Sequence, residues 1–330
     1  MSLYAAAHQA PSGPGDARPT ALQIIRDECL EGQMKDKVFL ITGCSSGIGI
    51  ETARAIAATG ARVFLTTRSL TKAQEACRDF LCPDRVELLQ LDTSSIYSVR
   101  AAAATFLQRS RTLNVLICNA GVMQIPTRQE TDGGFELQLA TNYLGHFALF
   151  WLLRDAMLAA AASTPSFKSR LIHVSSSGHL ASQMQFDDIN LARPDAYTPG
   201  KAYAQSKLAQ IYMANYVERH FGSRGIHALS VMPGGIFTNL QRYLPDAVKS
   251  GWEQNPAVVR FMKDPAQGAA TTVFAAVSKE WEARGGVYLE NCVEAGSSNA
   301  PGAFGVAEYA YDEGKEAMLW EITMQMLGLE

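Results

Sequence analysis

Tyr203 and Lys207 stand four residues apart in Tyr203-Ala204-Gln205-Ser206-Lys207. On a helix that spacing puts a phenol and an ammonium on one face. A nearby opposite charge favours the ionised phenol, whose ordinary pKa of about 10 makes it a poor acid or base at neutral pH. A phenol with a lysine beside it can exchange a proton with an alcohol or a ketone. Far upstream, Thr42-Gly43-Cys44-Ser45-Ser46-Gly47-Ile48-Gly49 has the composition of a loop that cradles a dinucleotide. Together the two segments suggest hydride transfer at a carbonyl. A lone YxxxK also fits a solvated helix face, and the glycine segment is what favours the chemical reading.

The elements around these residues have the right order. Lys37-Val38-Phe39-Leu40-Ile41-Thr42 is a short apolar run, as a buried parallel strand should be. Glycines 43, 47 and 49 follow, then the helical stretch Glu51 to Thr59. Backbone amides at such a turn and at the helix N-terminus attract a pyrophosphate. The spacing is GxxxGxG rather than the commonest GxGxxG. A second strand, Ala61 to Thr67, ends at Arg68 with Lys72 close behind. An acid near that strand end would suit the ribose hydroxyls of NAD. A cation there suits a 2′-phosphate, so the sequence favours NADP(H). A polar residue that merely closes a strand would look the same.

The chain resembles the short-chain dehydrogenase/reductase family from about Lys37 to Asn291. The glycine segment (Gly43, Ser45, Ser46, Gly47, Ile48, Gly49) is similar to the family's cofactor loop. The resemblance implies that Asp92 contacts adenine and that Asn119-Ala120-Gly121 supports the sheet and lines the cofactor. It implies a catalytic set of Asn142, Ser176, Tyr203 and Lys207, with Asn142 supporting a water that relays protons to Lys207. Lys207 would also bond the nicotinamide ribose. Pro233-Gly234-Gly235-Ile236-Phe237-Thr238 is similar to the segment that holds the nicotinamide carboxamide, through the Ile236 backbone and the Thr238 hydroxyl. Within the family the likeness is to retinol-dehydrogenase-like and WW-domain-oxidoreductase-like members. It rests on the long gap between Ser176 and Tyr203 and on the tail around Gly285 to Cys292 and Leu319-Trp320-Glu321. Thr20 to Asp36 is loosely similar to fungal members of specialised metabolism. No membrane anchor and no WW domain are read from the sequence. The implied fold is a Rossmann fold.

Strand-helix alternation itself argues a doubly wound parallel α/β sheet in a single domain. About seven strands are expected, near 37–42, 61–67, 85–91, 113–119, 169–176, 226–232 and 286–290. Helices are expected near 47–59, 70–80, 95–110, 132–162, 201–221 and 265–280, with a leading one from Thr20 to Glu31 and a closing one from Asp312 to Leu327. Residues 1–19, rich in Ala, Gly, Pro and Ser, read as a disordered extension, and 20–330 as the domain. At 330 residues with 47% hydrophobic content, the chain can bury a substantial core. A net charge of −3 gives no reason to expect nucleic-acid binding. No run approaches the ~20 apolar residues of a bilayer span, and the six scattered cysteines suit a reduced, cytoplasmic protein.

His146, His173 and His179 do not form a spaced metal pair, so no metal is expected; His179 could border the substrate. Ser175 and Ser177 compete with Ser176, and only the family register selects Ser176. After Thr238 come Leu240, Tyr243, Leu244, Trp252, Val258 and Phe261. These could line a pocket for a small lipophilic ketone or alcohol, under a lid from Leu240 to Phe261, or pack as ordinary core. Phe147, Phe150, Trp151, Ile211 and Tyr212 could pair two copies in a homodimer, or pack within one chain. A nucleotide-sensing binding protein of the same fold is the main rival function; retention of Tyr203 and Lys207 argues against it.

Overall fold

A computed structural model describes residues 4–164, 166–298, 300 and 304–329. Six parallel strands form the centre: β1 (Val38–Thr42), β2 (Arg62–Thr67), β3 (Val86–Gln90), β4 (Val115–Cys118), β5 (Ser169–Val174) and β6 (Ile226–Met232). Next along the chain are β7 (Gly235–Ile236) and β8 (Met262–Lys263), then β9 (Tyr288–Glu290) and β10 (Val293–Glu294). The main sheet has eight strands in the order β10-β9-β6-β5-β4-β1-β2-β3. The seven expected strands are present. The eighth, β10, is a two-residue edge strand antiparallel to β9, too short to leave a pattern in the sequence. β7 and β8 pair apart from the sheet.

The helices are α1 (Ala21–Asp27), α2 (Ile48–Ala58), α3 (Leu70–Cys77), α4 (Ile96–Arg109), α5 (Leu137–Ser163), α6 (Pro199–Phe221), α7 (Asp246–Glu253), α8 (Pro256–Val259), α9 (Pro265–Gly268), α10 (Ala270–Val277) and α11 (Glu313–Leu327). They cover both faces because the strands are buried on both. In β1, Val38 and Leu40 join the core with α4, α5, α6 and α11, while Phe39 and Ile41 join the core with α1, α2 and α10. β4 splits likewise, with Leu116 and Cys118 on one side and Val115 and Ile117 on the other. That alternation is the period of two of a strand, read through an unbroken apolar run.

Three expectations change. Residues 4–19 are placed against the rest of the fold rather than forming a disordered extension; residues 1–3 lie outside the described residues. Arg18 is buried and donates to Phe261 O at 2.9 Å, Met262 O at 2.5 Å and Gly13 O at 3.1 Å, with Asp16 Oδ1 at 2.7 Å. Gln267 Nε2 donates to Arg18 O at 3.1 Å. Phe261, Met262 and Gln267 lie 243, 244 and 249 residues away in the chain, which local composition does not reveal. Second, α5 is long and apolar enough to cross a membrane by length and composition. It is nonetheless a core helix, with 67% of its most apolar window buried.

Third, of the five residues that could pair two copies or pack within one chain, four are fully buried within it and Trp151 is half-buried. Phe147, Phe150, Ile211 and Tyr212 are fully buried, and α11 lies over α5 and α6. Its Trp320 stacks on Tyr216 at 4.2 Å between centroids and meets Phe147 edge-on at 4.6 Å. Polar contacts fix the helix there: Asn215 Nδ2 donates to Glu316 Oε1 at 3.0 Å, and Tyr143 Oη lies 2.9 Å from Thr323 Oγ1. Trp320→Ala is expected to lower the unfolding free energy by about 3 kcal/mol, as for other large buried aromatics. Denaturant unfolding at unchanged slope checks it; a midpoint equal to wild type would show that α11 does not hold this face.

Candidate functional site

The chain changes direction across the sheet between β1 and β4, so the carboxyl ends of these neighbours open a crevice. Thr42 ends β1, and its hydroxyl accepts from the amides of Asn119 and Ala120, each at 2.9 Å, tying the two strand ends together. Asn119 Nδ2 donates to Thr42 O at 2.8 Å, while its Oδ1 is buried without a partner among the described residues. Gly47 caps α2 with φ 63°, in the left-handed region that glycine enters at no steric cost. A Cβ on Gly49 would sit 2.3 Å from Gly43 O, so the loop closes on itself only because that position is glycine.

The crevice is a cavity of about 840 Å³. Among the residues singled out in the sequence, its wall includes Gly43, Ser45, Ser46, Gly47, Ile48, Gly49, Arg68, Asn119, Ala120 and Gly121. Ser176, Tyr203, Lys207, Pro233, Gly234, Ile236 and Thr238 join them. Asn142 and Asp92 do not line it. Asp92 accepts from Ser94 N at 2.9 Å and Ser94 Oγ at 2.7 Å, so its carboxylate closes the turn before α4. Lys72, Thr93, Met123, Gln241, Arg242 and Met262 line the cavity without having been singled out for it, apart from the nearness of Lys72 to Arg68. Most lie beside a motif residue, and adjacency was their only trace in the sequence. Arg68 is exposed and, among the described residues, makes no ion pair.

α6 begins at Pro199 after Thr198, whose hydroxyl accepts from Lys201 N at 3.1 Å. It carries Tyr203 and Lys207 into the interior. Burial pushes the Tyr203 phenol up to about 12, with the Ser176 hydroxyl pulling weakly the other way. The expected lowering by Lys207 is absent. The Lys207 Nζ stands 5.7 Å from the Tyr203 ring centre, and its bonds go to Val174 O at 2.8 Å and Gln210 Oε1 at 3.1 Å. Burial in turn lowers Lys207 to about 7. Desolvation therefore holds the phenol protonated and weakens the ammonium.

The three serines differ in orientation. Ser175 borders the cavity, but its hydroxyl donates to Lys207 O at 2.8 Å. Ser177 starts the next turn and is not on the wall. Ser176 Oγ accepts from Gly178 N at 3.0 Å and faces Tyr203. Asn142 sits in a π turn of α5, Ala140–Leu144, beneath the cavity floor. Its Oδ1 accepts from Val122 N at 2.8 Å, and its Nδ2 donates to Ser206 Oγ at 2.9 Å. His179 is buried and does not border the cavity; it lies 2.6 Å from Ser176 O and accepts from Ala307 N at 3.1 Å. No metal-binding cluster occurs among the described residues.

β8 pairs with β7 and so supports the segment from Pro233 to Thr238. Lys263 donates to Pro233 O at 3.2 Å, and Gln241 Nε2 to Ile236 O at 2.7 Å. Beyond Thr238, Leu240, Trp252 and Val258 face the cavity, whereas Tyr243, Leu244 and Phe261 do not. No residue of α7 or α8 is buried, which rules out the reading of these helices as ordinary core.

Residues 37–187 match the family model described as short chain dehydrogenase. The chain is 51% identical over 328 residues to a protein of Penicillium roqueforti named short-chain dehydrogenase/reductase prx1, covering 99% of this chain and 95% of that one. Mouse retinol dehydrogenase 11 is 32% identical, covering 90% and 88%. A solved structure of a Mycobacterium paratuberculosis protein aligns with a TM-score of 0.66 at 29% identity, covering 88% of this chain and 93% of that one.

Gly49→Ala is expected to disrupt the loop, because the contact it would make is with backbone. Loss of nucleotide binding, with a drop of at least about 2 kcal/mol in stability, is expected for such overpacking. Calorimetric titration with NADPH beside a melting curve checks both; a variant that binds as wild type would show that the loop yields.

Proposed function

The chain belongs to the short-chain dehydrogenase/reductase family, and from that premise we propose that it is an NADP(H)-dependent oxidoreductase acting on a small lipophilic ketone or secondary alcohol, or on the corresponding aldehyde or alcohol. The observation that carries this is the convergence of Ser176, Tyr203 and Lys207 on one cavity whose opposite wall is the glycine loop. The residues fit a dinucleotide. The loop leaves no room for a side chain at Gly49, Asn119 keeps a buried carbonyl oxygen without a partner among the described residues, and Arg68 and Lys72 offer cations on the cavity wall. Gly43, Ser45, Ser46, Gly47 and Ile48 would hold the phosphates, Arg68 the 2′-phosphate, and Ile236 and Thr238 the carboxamide. Bound there, NADPH supplies a hydride to the carbonyl carbon.

The chain's own residues handle the oxygen and the proton. Ser176 Oγ donates a hydrogen bond to the carbonyl oxygen and stabilises the charge that gathers on it. Tyr203 gives that oxygen its proton, completing the alcohol. Burial keeps the phenol protonated until this moment, which suits an acid in the direction of reduction. The reverse oxidation runs through the same groups. Lys207 holds the site's positive charge beside the phenol, and Asn142 anchors the floor beneath it. Leu240, Trp252, Val258 and Met262 supply an apolar wall for the substrate, and a relative named retinol dehydrogenase agrees with a lipophilic class. A role in specialised metabolism rests on the loose likeness of Thr20 to Asp36 to fungal members. All six cysteines are free, which suits the reducing cytoplasm.

The direct experiment follows NADPH absorbance with a panel of hydrophobic ketones and aldehydes. Tyr203→Phe is expected to lower turnover by about 10²–10⁴-fold while leaving NADPH affinity within a few fold, because only the proton donor is lost. Ser176→Ala should cost far more rate than Ser175→Ala; the opposite ranking would assign the oxyanion donor to Ser175. Arg68→Ala should reduce the preference for NADPH over NADH by about tenfold, as for a partly exposed charge-assisted bond. Equal affinity for both cofactors in the wild-type protein would remove the NADP(H) assignment.

A further inference from the structure

Between Lys207 and Asn142 stands a side chain that the mechanism above does not use. Gln210 Oε1 accepts from Lys207 Nζ at 3.1 Å, and Gln210 Nε2 donates to Asn142 O at 2.8 Å. The orientation of the amide is forced, since an ammonium only donates and a carbonyl only accepts. The other lone pair of Asn142 O is taken by His146 Nδ1 at 2.8 Å. His146 is itself fixed by Thr42 Oγ1, 2.9 Å from its Nε2. Burial pushes that imidazole down to about 4, so it stays neutral with its proton on Nδ1. A carbonyl oxygen with both lone pairs filled has no place for a water. Gln210 and Asn142 are both fully buried.

We infer that Gln210 is a positioning residue: its amide takes the place of a relay water between Asn142 and Lys207, and closes the inward proton route to the acid. This inference rests on Tyr203 and Lys207 being the proton-handling pair. An amide conducts a hydrogen bond but not a proton, because passing one along would leave the nitrogen short of its own. Tyr203 therefore regains its proton from the cavity side. One N–H of Lys207 has no acceptor among the described residues, and Lys207 lines the cavity. The second role of Gln210 is to hold the ammonium charged against burial. The titratable groups facing Lys207 are Tyr203 on its own helix, His146 from α5 and His173 from β5. No carboxylate acts on it, so neutral acceptors carry the charge.

The test reads Lys207 directly, from its side-chain Cε resonance in the free protein, assigned with Lys207→Arg. Gln210→Met keeps the volume and removes both bonds; the Lys207 titration should move down by about one pH unit, since a lost acceptor disfavours the ammonium. Gln210→Glu keeps the length and adds a carboxylate; the titration should move up. In turnover, Gln210→Met should lower kcat on the order of tenfold, and move the alkaline limb of its pH profile down with the lysine. NADPH affinity, read by fluorescence, should hold. An unmoved Lys207 titration in whichever variant folds overturns the inference. So does an ordered water within hydrogen-bond distance of both Asn142 O and Lys207 Nζ in a high-resolution wild-type structure. If the titrations move as stated but the wild-type protein reduces no carbonyl compound, the oxidoreductase reading fails and the role of Gln210 stands.

Discussion

A buried ammonium governs this structure. Lys207 is only 5% exposed and needs acceptors that leave it able to serve the cavity. Two neutral oxygens meet the need, one from the end of β5 and one from the next turn of α6. Each sets a condition on the fold. Val174 is the last residue of β5, so a bond to its carbonyl places α6 beside the strand end. Ser175 adds a second tie between the same two elements by donating to Lys207 O. These two bonds tie α6 to the end of β5, where Tyr203 and Ser176 meet.

From that fixed point the site is assembled layer by layer. α6 sits on α5, where Asn142 is locked by Val122, Ser206 and Gln210. His146 leads from Asn142 to Thr42 at the end of β1, and Thr42 holds the amides of Asn119 and Ala120. A continuous set of bonds therefore runs from Lys207 through Gln210, Asn142 and His146 to Thr42 and the amides of Asn119 and Ala120. The floor is rigid because its polar groups are buried and largely satisfied by one another. The roof is built differently. α7 and α8 have no fully buried residue, and below them β7 and β8 are strapped by Arg18 and Lys263.

The motifs were legible because each answers a local requirement. An unbroken apolar run makes a strand buried on both faces, glycines permit the tight loop after β1, and a four-residue spacing puts Tyr203 and Lys207 on one helical face. The six parallel strands appear where those patterns placed them, with ends shifted by a residue or two, whereas helix ends moved further: α5 starts at Leu137 rather than 132, α1 ends at Asp27 rather than 31, and the helix expected near 265–280 is divided into α9 and α10. The two-residue strands β7, β8 and β10 left no pattern, since so few residues show no periodicity. Residues 4–19 misled because their composition is that of a tail, while the carbonyls that hold Arg18 belong to the far end of the chain.

The sequence by itself determined the fold class, the order of the elements and which residue types could do the chemistry. Only the tertiary structure decided what those residues do to one another. It set Tyr203 upward and Lys207 downward in pKa, the reverse of the effect expected from their pairing, because burial outweighs a charge that is directed elsewhere. It turned the Ser175 hydroxyl to Lys207 O and the Ser176 hydroxyl to Tyr203, and put Gln210 between Lys207 and Asn142. α11 laid Trp320 against Phe147 of α5 and Tyr216 of α6. Spacing along a chain reports which side chains share a face; desolvation and hydrogen-bond partnership depend on what is packed against that face, and those neighbours come from distant parts of the chain.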